Sequence, residues 1–149
     1  MLRSRIRTEA TRLSREERGL TLIELLVVLI IIGILAAIVI AAFANQQNKA
    51  HDADAKVHAR SAQTAMESYF LEHKSYAGAT TADLEEEQTA LKDANDLVIT
   101  IATANEFEVK TSSTSTEPVE FKVHRMPTGT IQRTCTPVET GGCKAGGTW

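Results

Sequence analysis

The chain has 149 residues, a formal net charge of −3 and 43% hydrophobic residues, enough for one domain and too little for two sizeable cores. Residues 1–19 hold six arginines against three glutamates, so their net of +3 leaves −6 for residues 20–149. An acidic main portion argues against binding nucleic acid through bulk electrostatics, and two cysteines cannot by themselves supply a four-ligand zinc site.

In chain order, residues 1–19 read as a basic processing segment rather than as part of the fold. Basic residues ahead of an apolar span hold that end in the cytoplasm and direct the remainder of the chain outward. From Leu25 to Ala44, twenty consecutive residues carry no charged or polar side chain. As a helix rising about 1.5 Å per residue, such a block is about 30 Å long, the thickness of a bilayer's hydrocarbon core. The apolar helix is therefore expected over residues 20–44, and Asn45-Gln46-Gln47-Asn48 marks its exit from the membrane. No Gly or Pro follows, and the helical period continues. Ala55, Ala59, Ala62, Met66, Tyr69 or Phe70, and His73 recur at intervals of three and four and define an apolar face. Asp52, Lys56, Arg60, Gln63 and Glu67 are assigned to the opposite face. One helix is expected from about Leu20 to about Lys74, and its alanine stripe predicts close packing against a flat surface.

Ser75-Tyr76-Ala77-Gly78-Ala79 ends that helix, and a short acidic helix is expected over 82–92, capped by Thr80 or Thr81. After Asn95 the period changes to two. Leu97, Ile99 and Ile101, then Phe107 and Val109, then Val119, Phe121 and Val123 alternate with polar or smaller neighbours, and a weaker strand covers 130–134. The fold class is α+β: a long N-terminal helix, membrane-spanning below and amphipathic above, packed on an antiparallel sheet of about four strands. The run 111–116 of serines and threonines reads as a polar loop open to O-glycosylation, Met126-Pro127-Thr128-Gly129 as a turn, and the Gly-rich C-terminus as a loop. Outside the cytoplasm Cys135 and Cys143 are expected to form a disulfide.

The string Arg18-Gly19-Leu20-Thr21-Leu22-Ile23-Glu24-Leu25-Leu26-Val27-Val28-Leu29 closely resembles the class III signal sequence of type IV pilins and pseudopilins. The resemblance implies that a prepilin peptidase cuts between Gly19 and Leu20 and methylates the new α-amino group of Leu20. It implies that Glu24, a carboxylate costing on the order of 2.5–3.5 kcal/mol at a bilayer's centre and less near its edge, pairs with such an amine during assembly. The domains then become a leader 1–19, a membrane and filament-core helix 20–44, and an extracytoplasmic head 45–149. The head divides into a helix continuation 45–75, a connector 76–96, and a sheet with the C-terminal disulfide loop 97–149. The partners implied are identical subunits, the peptidase, an inner-membrane platform, an assembly ATPase and, before assembly, the cytoplasmic membrane; the destination is an extracellular filament. Two positions depart from the family's habit: Leu20 where phenylalanine is common, and Ala41 where many pilins carry a helix-kinking proline. Gly33 then becomes the expected point of helix flexibility.

The function implied is a structural pilin serving adhesion, motility or DNA uptake, with no catalysis and no cofactor. One alternative is a minor pseudopilin of a secretion or competence system. Another is a secreted or anchored binding domain that never polymerises. Ala42-Phe43-Ala44 fits a signal-peptidase site that would release a domain starting at Asn45, but the apolar core exceeds the roughly 7–15 residues of secretory signals. His51, Asp54 and His58 share helical spacing suited to a metal, and Glu85-Glu86-Glu87 cluster acid; a solvated helix surface is the plainer reading of both.

Overall fold

A computed structural model describes residues 20–149; residues 1–19, where the leader and Gly19 were expected, lie outside the described residues. Helix α1 runs Leu22–His73 and helix α2 Thr81–Glu87, followed by a 3₁₀ turn at Thr89–Asp93. Strands β1 (Val98–Ala102), β2 (Phe107–Ser112), β3 (Glu120–Arg125) and β4 (Ile131–Thr136) complete the regular elements of the described residues. They form one antiparallel sheet in the order β1-β2-β3-β4, the meander that the period-two pattern implies.

The chain divides into two compact units, residues 1–41 and 42–149. In the first, every described side chain from Leu22 to Ile40 is exposed, although nearly all are large and apolar. Those 19 residues are long and apolar enough to cross a membrane, with none of the stretch buried.

The second unit is the head. Its core joins Ala55, Ala59, Ala62, Ala65 and Met66 of α1 to Phe107, Val109, Val119, Phe121 and Val123 of the sheet region. Small side chains let the sheet come close: Thr111 donates its hydroxyl directly to the α1 carbonyl of Ala55 at 2.8 Å. On β2 burial alternates strictly, with Phe107, Val109 and Thr111 inside, as a half-buried strand requires. On β1 the alternation fails, because the register shifts between Ile99 and Ile101 and turns that strand partly off the core.

Several expectations need correction. Thr80 caps α2 in a complete capping box with Asp83, but the helix ends at Glu87 and tightens into the 3₁₀ turn instead of reaching residue 92. The serine–threonine run is not a plain polar loop. Thr111 and Ser112 belong to β2, and Thr111, Ser113 and Ser115 are buried with their hydroxyls bonded. Nor do Asp52, Lys56, Arg60, Gln63 and Glu67 form a wet face. At about 100° per residue they flank the alanine stripe rather than oppose it, and each meets the sheet or the C-terminal loop. The tail is ordered too. Thr148 bridges to Thr134, Cys135 N–H donates to Gly147 O at 2.9 Å, and Trp149 packs edge-on to Phe121 at 5.7 Å.

Candidate assembly site

α1 begins where Thr21 ends the preceding chain. Its Oγ1 accepts the Glu24 N–H at 3.2 Å, and its carbonyl accepts the Leu25 N–H at 3.1 Å. Thr21 is thus the N-cap, and Glu24 stands three residues later, in the first turn, the threonine-x-x-glutamate spacing of a capping box. Sequence reasoning overlooked Thr21, although that spacing was visible. A carboxylate in a helix's first turn also stands at the positive end of the helix dipole. Leu20 and Leu22 are exposed beside it. Leu20 and the carboxylate-bearing Glu24 thus lie four residues apart at the start of an exposed apolar helix. Gly33 lies inside the helix with open space around the position a Cβ would take, so no described residue packs against it there.

The head's C-terminal loop is built around a second carboxylate. Cys135 on β4 is bonded to Cys143, with Cα atoms 5.6 Å apart. Asp52 of α1, 2% exposed, accepts the Gly142 N–H at 2.7 Å and the Ser115 hydroxyl at 3.3 Å. Lys56, one turn later, donates to the Gly142 carbonyl at 2.8 Å and stands over the Phe121 ring. Both hold the disulfide loop to the helix. A Cβ at Gly141, whose φ is +50°, would collide with the Asp52 carboxylate, so glycine serves there both the conformation and the approach.

At the far end of the head, Tyr76 is fully buried and stacks among Phe70 and Phe107. Its hydroxyl donates to Glu67 at 2.8 Å, and Arg125 pairs with the same carboxylate at 3.1 Å. Burial first, then the Glu67 carboxylate, push the phenol's pKa well above its ordinary value.

The weaker candidates fare differently. His51, Asp54 and His58 do line one shallow cavity with Asp93 and Thr114, and His51 Nδ1 bonds the Thr114 hydroxyl at 2.9 Å. Among the described residues no three metal-ligating side chains are placed to hold an ion. Of the three glutamates, Glu87 accepts a hydrogen bond from Ser68 at 2.6 Å, and Glu86 is exposed.

Residues 14–40 match the family described as the prokaryotic N-terminal methylation motif. The type IV major pilin protein PilA of Myxococcus xanthus is 42% identical over 67 residues, which is 45% of this chain and 30% of that protein. A fimbrial protein of Neisseria meningitidis is 35% identical over 66 residues, 44% of this chain and 39% of that protein. The chain thus spans well under half the length of these curated relatives. No solved structure matches it.

Proposed function

We infer that this chain, type IV pilin-like in its methylation motif, its N-terminal apolar helix and its α+β fold, is the precursor of a filament subunit. The observation that carries the reading is the start of α1. A carboxylate sits in the first turn of a helix whose large apolar side chains have no cover among the described residues, four residues after Leu20 in sequence.

Cleavage between Gly19 and Leu20 by a prepilin peptidase frees an α-amino group, and methylation of Leu20 follows. In the membrane the exposed leucines and isoleucines are covered by lipid; in the filament they are covered by the same helix of other copies. Glu24 pairs with a Leu20 amine, which offsets the desolvation of both charges and favours one axial register over others. Gly33 supplies a position where the helix loosens as it leaves the lipid, since glycine costs about 1 kcal/mol relative to alanine in a helix interior. The inner-membrane platform and assembly ATPase would drive the transfer, and the acidic head would face solvent at the cell surface. The chain's role is structural, as a substrate of the peptidase and not as an enzyme.

The test is the intact mass of the protein sheared from cells, taken with electron microscopy of the sheared fraction. Filaments whose subunit mass corresponds to residues 20–149, plus one methyl and minus two hydrogens, are expected. A mature chain starting at Asn45, or one that stays monomeric with its leader, would overturn the reading.

A further inference from the structure

The head carries two surfaces of opposite charge on the two flanks of α1. On one flank, Arg60 stands over the Trp149 ring at 5.4 Å, and Arg133 of β4 stands over the same ring at 5.8 Å. Lys56 adjoins them beside the disulfide loop. Some other head cations are matched with carboxylates, Lys110 with Glu120 and Asp96, Lys122 with Glu120 and Arg125 with Glu67, while Lys49, Lys74, Lys92 and Lys144 pair with none among the described residues. Among the described residues no carboxylate pairs with Lys56, Arg60 or Arg133. Arg133 makes only one neutral bond, to Gln63 at 3.1 Å, and its buried Nε has no acceptor. Two arginines flank one indole, with Lys56 over the neighbouring Phe121 ring, and none of the three pairs with a described carboxylate.

The other flank supplies carboxylates. Ser68 and Glu72 lie across the buried stripe from Lys56 and Arg60 by the helix's roughly 100° per residue, and α2 is tied there by the Ser68–Glu87 bond. Glu72, Asp83, Glu86 and Glu87 line one open groove beside Tyr69. Glu72 and Glu86 are exposed.

We propose that the Lys56–Arg60–Arg133–Trp149 surface of one head docks on the Glu72–Asp83–Glu86 groove of another copy, as a lateral contact of the filament. The proposal rests on the chain being a filament subunit. Two different patches on one molecule make a heterologous contact, which repeats without closing unless the rotation happens to form a ring, so it suits an open helical polymer. The charges fix orientation and register more than they add affinity. Arg60 and Glu72 are twelve residues apart on α1. Docked copies are therefore staggered by roughly 18 Å along the helix, with the acidic groove of one beside the basic flank of its neighbour.

The test uses the full chain assembled in cells, with Arg60→Cys and Glu86→Cys singly and together, treated with a bismaleimide that ignores the native disulfide. The double variant is expected to give a ladder of dimers, trimers and longer species, and each single variant none. Normal filaments with no ladder from the double variant would overturn the proposal, as would dimers from Arg60→Cys alone, which require a symmetric contact. Should a cysteine variant not assemble, charge reversal decides. Arg60→Glu with Arg133→Glu is expected to lower filament yield roughly tenfold or more, and adding Glu72→Lys with Glu86→Lys to restore much of it. Unchanged yield in the first, or no rescue in the second while the head melts normally, would also overturn it. If the unaltered chain makes no filaments, the function itself falls; wild-type filaments without these effects sink only the contact.

Discussion

The two stretches of α1 invert the usual link between residue size and burial. Between Leu22 and Ile40 the side chains are large, apolar and exposed. Between Asp52 and Met66 the buried positions are chiefly alanines, which are small but completely covered. In the head, what alanine contributes is proximity: it lets β2 approach until Thr111 bonds the helix backbone, and the large residues of the sheet then fill the space. In the apolar stretch, side-chain volume meets no matching surface among the described residues. Substitutions there are expected to register in membrane insertion and assembly and not in folding of the head.

That contrast breaks most sharply at Phe121. The ring is fully buried among α1, Trp149 and Lys56. Phe121→Ala is expected to destabilise the head by about 3–5 kcal/mol, through lost transfer energy and the cavity left behind. Leu29→Ala, which removes a comparably apolar but exposed side chain, is expected to leave the head's thermal unfolding unchanged. A matched loss of melting temperature in Leu29→Ala would show that the head's stability depends on side chains of the apolar stretch. The disulfide comes next. Replacing Cys135 and Cys143 together by serine is expected to cost about 2–3 kcal/mol, the loop-closure value for so short a ring, read by denaturant unfolding of the oxidised and variant proteins. A smaller loss is expected if Asp52 and Lys56, which hold Gly142 from α1, already confine the loop.

The alanine stripe sharpens the same point from the opposite direction. Ala59 has no exposed surface, so Ala59→Leu must displace the sheet or strain a rotamer, and about 1–3 kcal/mol of destabilisation is expected in chemical unfolding. Ala36→Leu, in the exposed stretch, meets nothing in the chain and is expected to be neutral for the head. Stability unaffected by Ala59→Leu would mean that the helix and sheet are separated loosely enough to accept a leucine.

Most of the architecture was legible in the sequence because it rests on periods. The apolar block, the alanine spacing and the two clean alternations, Phe107–Val109 and Val119–Phe121–Val123, state their elements directly, and the four-stranded meander is built around them. What escaped depends on which polar groups find partners, a tertiary matter that no period encodes. Asp52 and the hydroxyls of Thr111, Ser113 and Ser115 look solvated in sequence, yet they are buried because the close approach of α1 gives each an acceptor or donor. Tyr76 hides for the same reason, its hydroxyl answered by Glu67. Trp149 sits in a Gly-rich tail that reads as loop, and only the fold shows the arginines on either side of it. At the assembly site Glu24 was conspicuous as a charge beside an apolar run, while Thr21 was missed although it stands at capping distance in sequence.

The smallest effect compares two helix starts built on the same threonine-x-x-acid spacing, Thr21/Glu24 for α1 and Thr80/Asp83 for α2. In α2 the Thr80 hydroxyl and backbone N–H both donate to the Asp83 carboxylate, at 2.7 and 2.8 Å, and these bonds hold its pKa below the usual carboxylate value. A depressed folded pKa means that the carboxylate's contribution is present above the unfolded pKa and is lost as pH falls through the folded one. Hydrogen exchange at the amides of Asp83 and Leu84, which Thr80 accepts, should therefore lose protection as pH drops from about 5 toward 3, after correction for intrinsic rates. Asp83→Asn should show the lower protection at every pH. Because α2 is short and Asp83 is solvent-facing, the change is expected to stay local, with the amides of β2 and β3 unmoved. If β2 and β3 open together with α2, the acidic helix is part of the head's cooperative core and not a separately fraying turn laid on its surface.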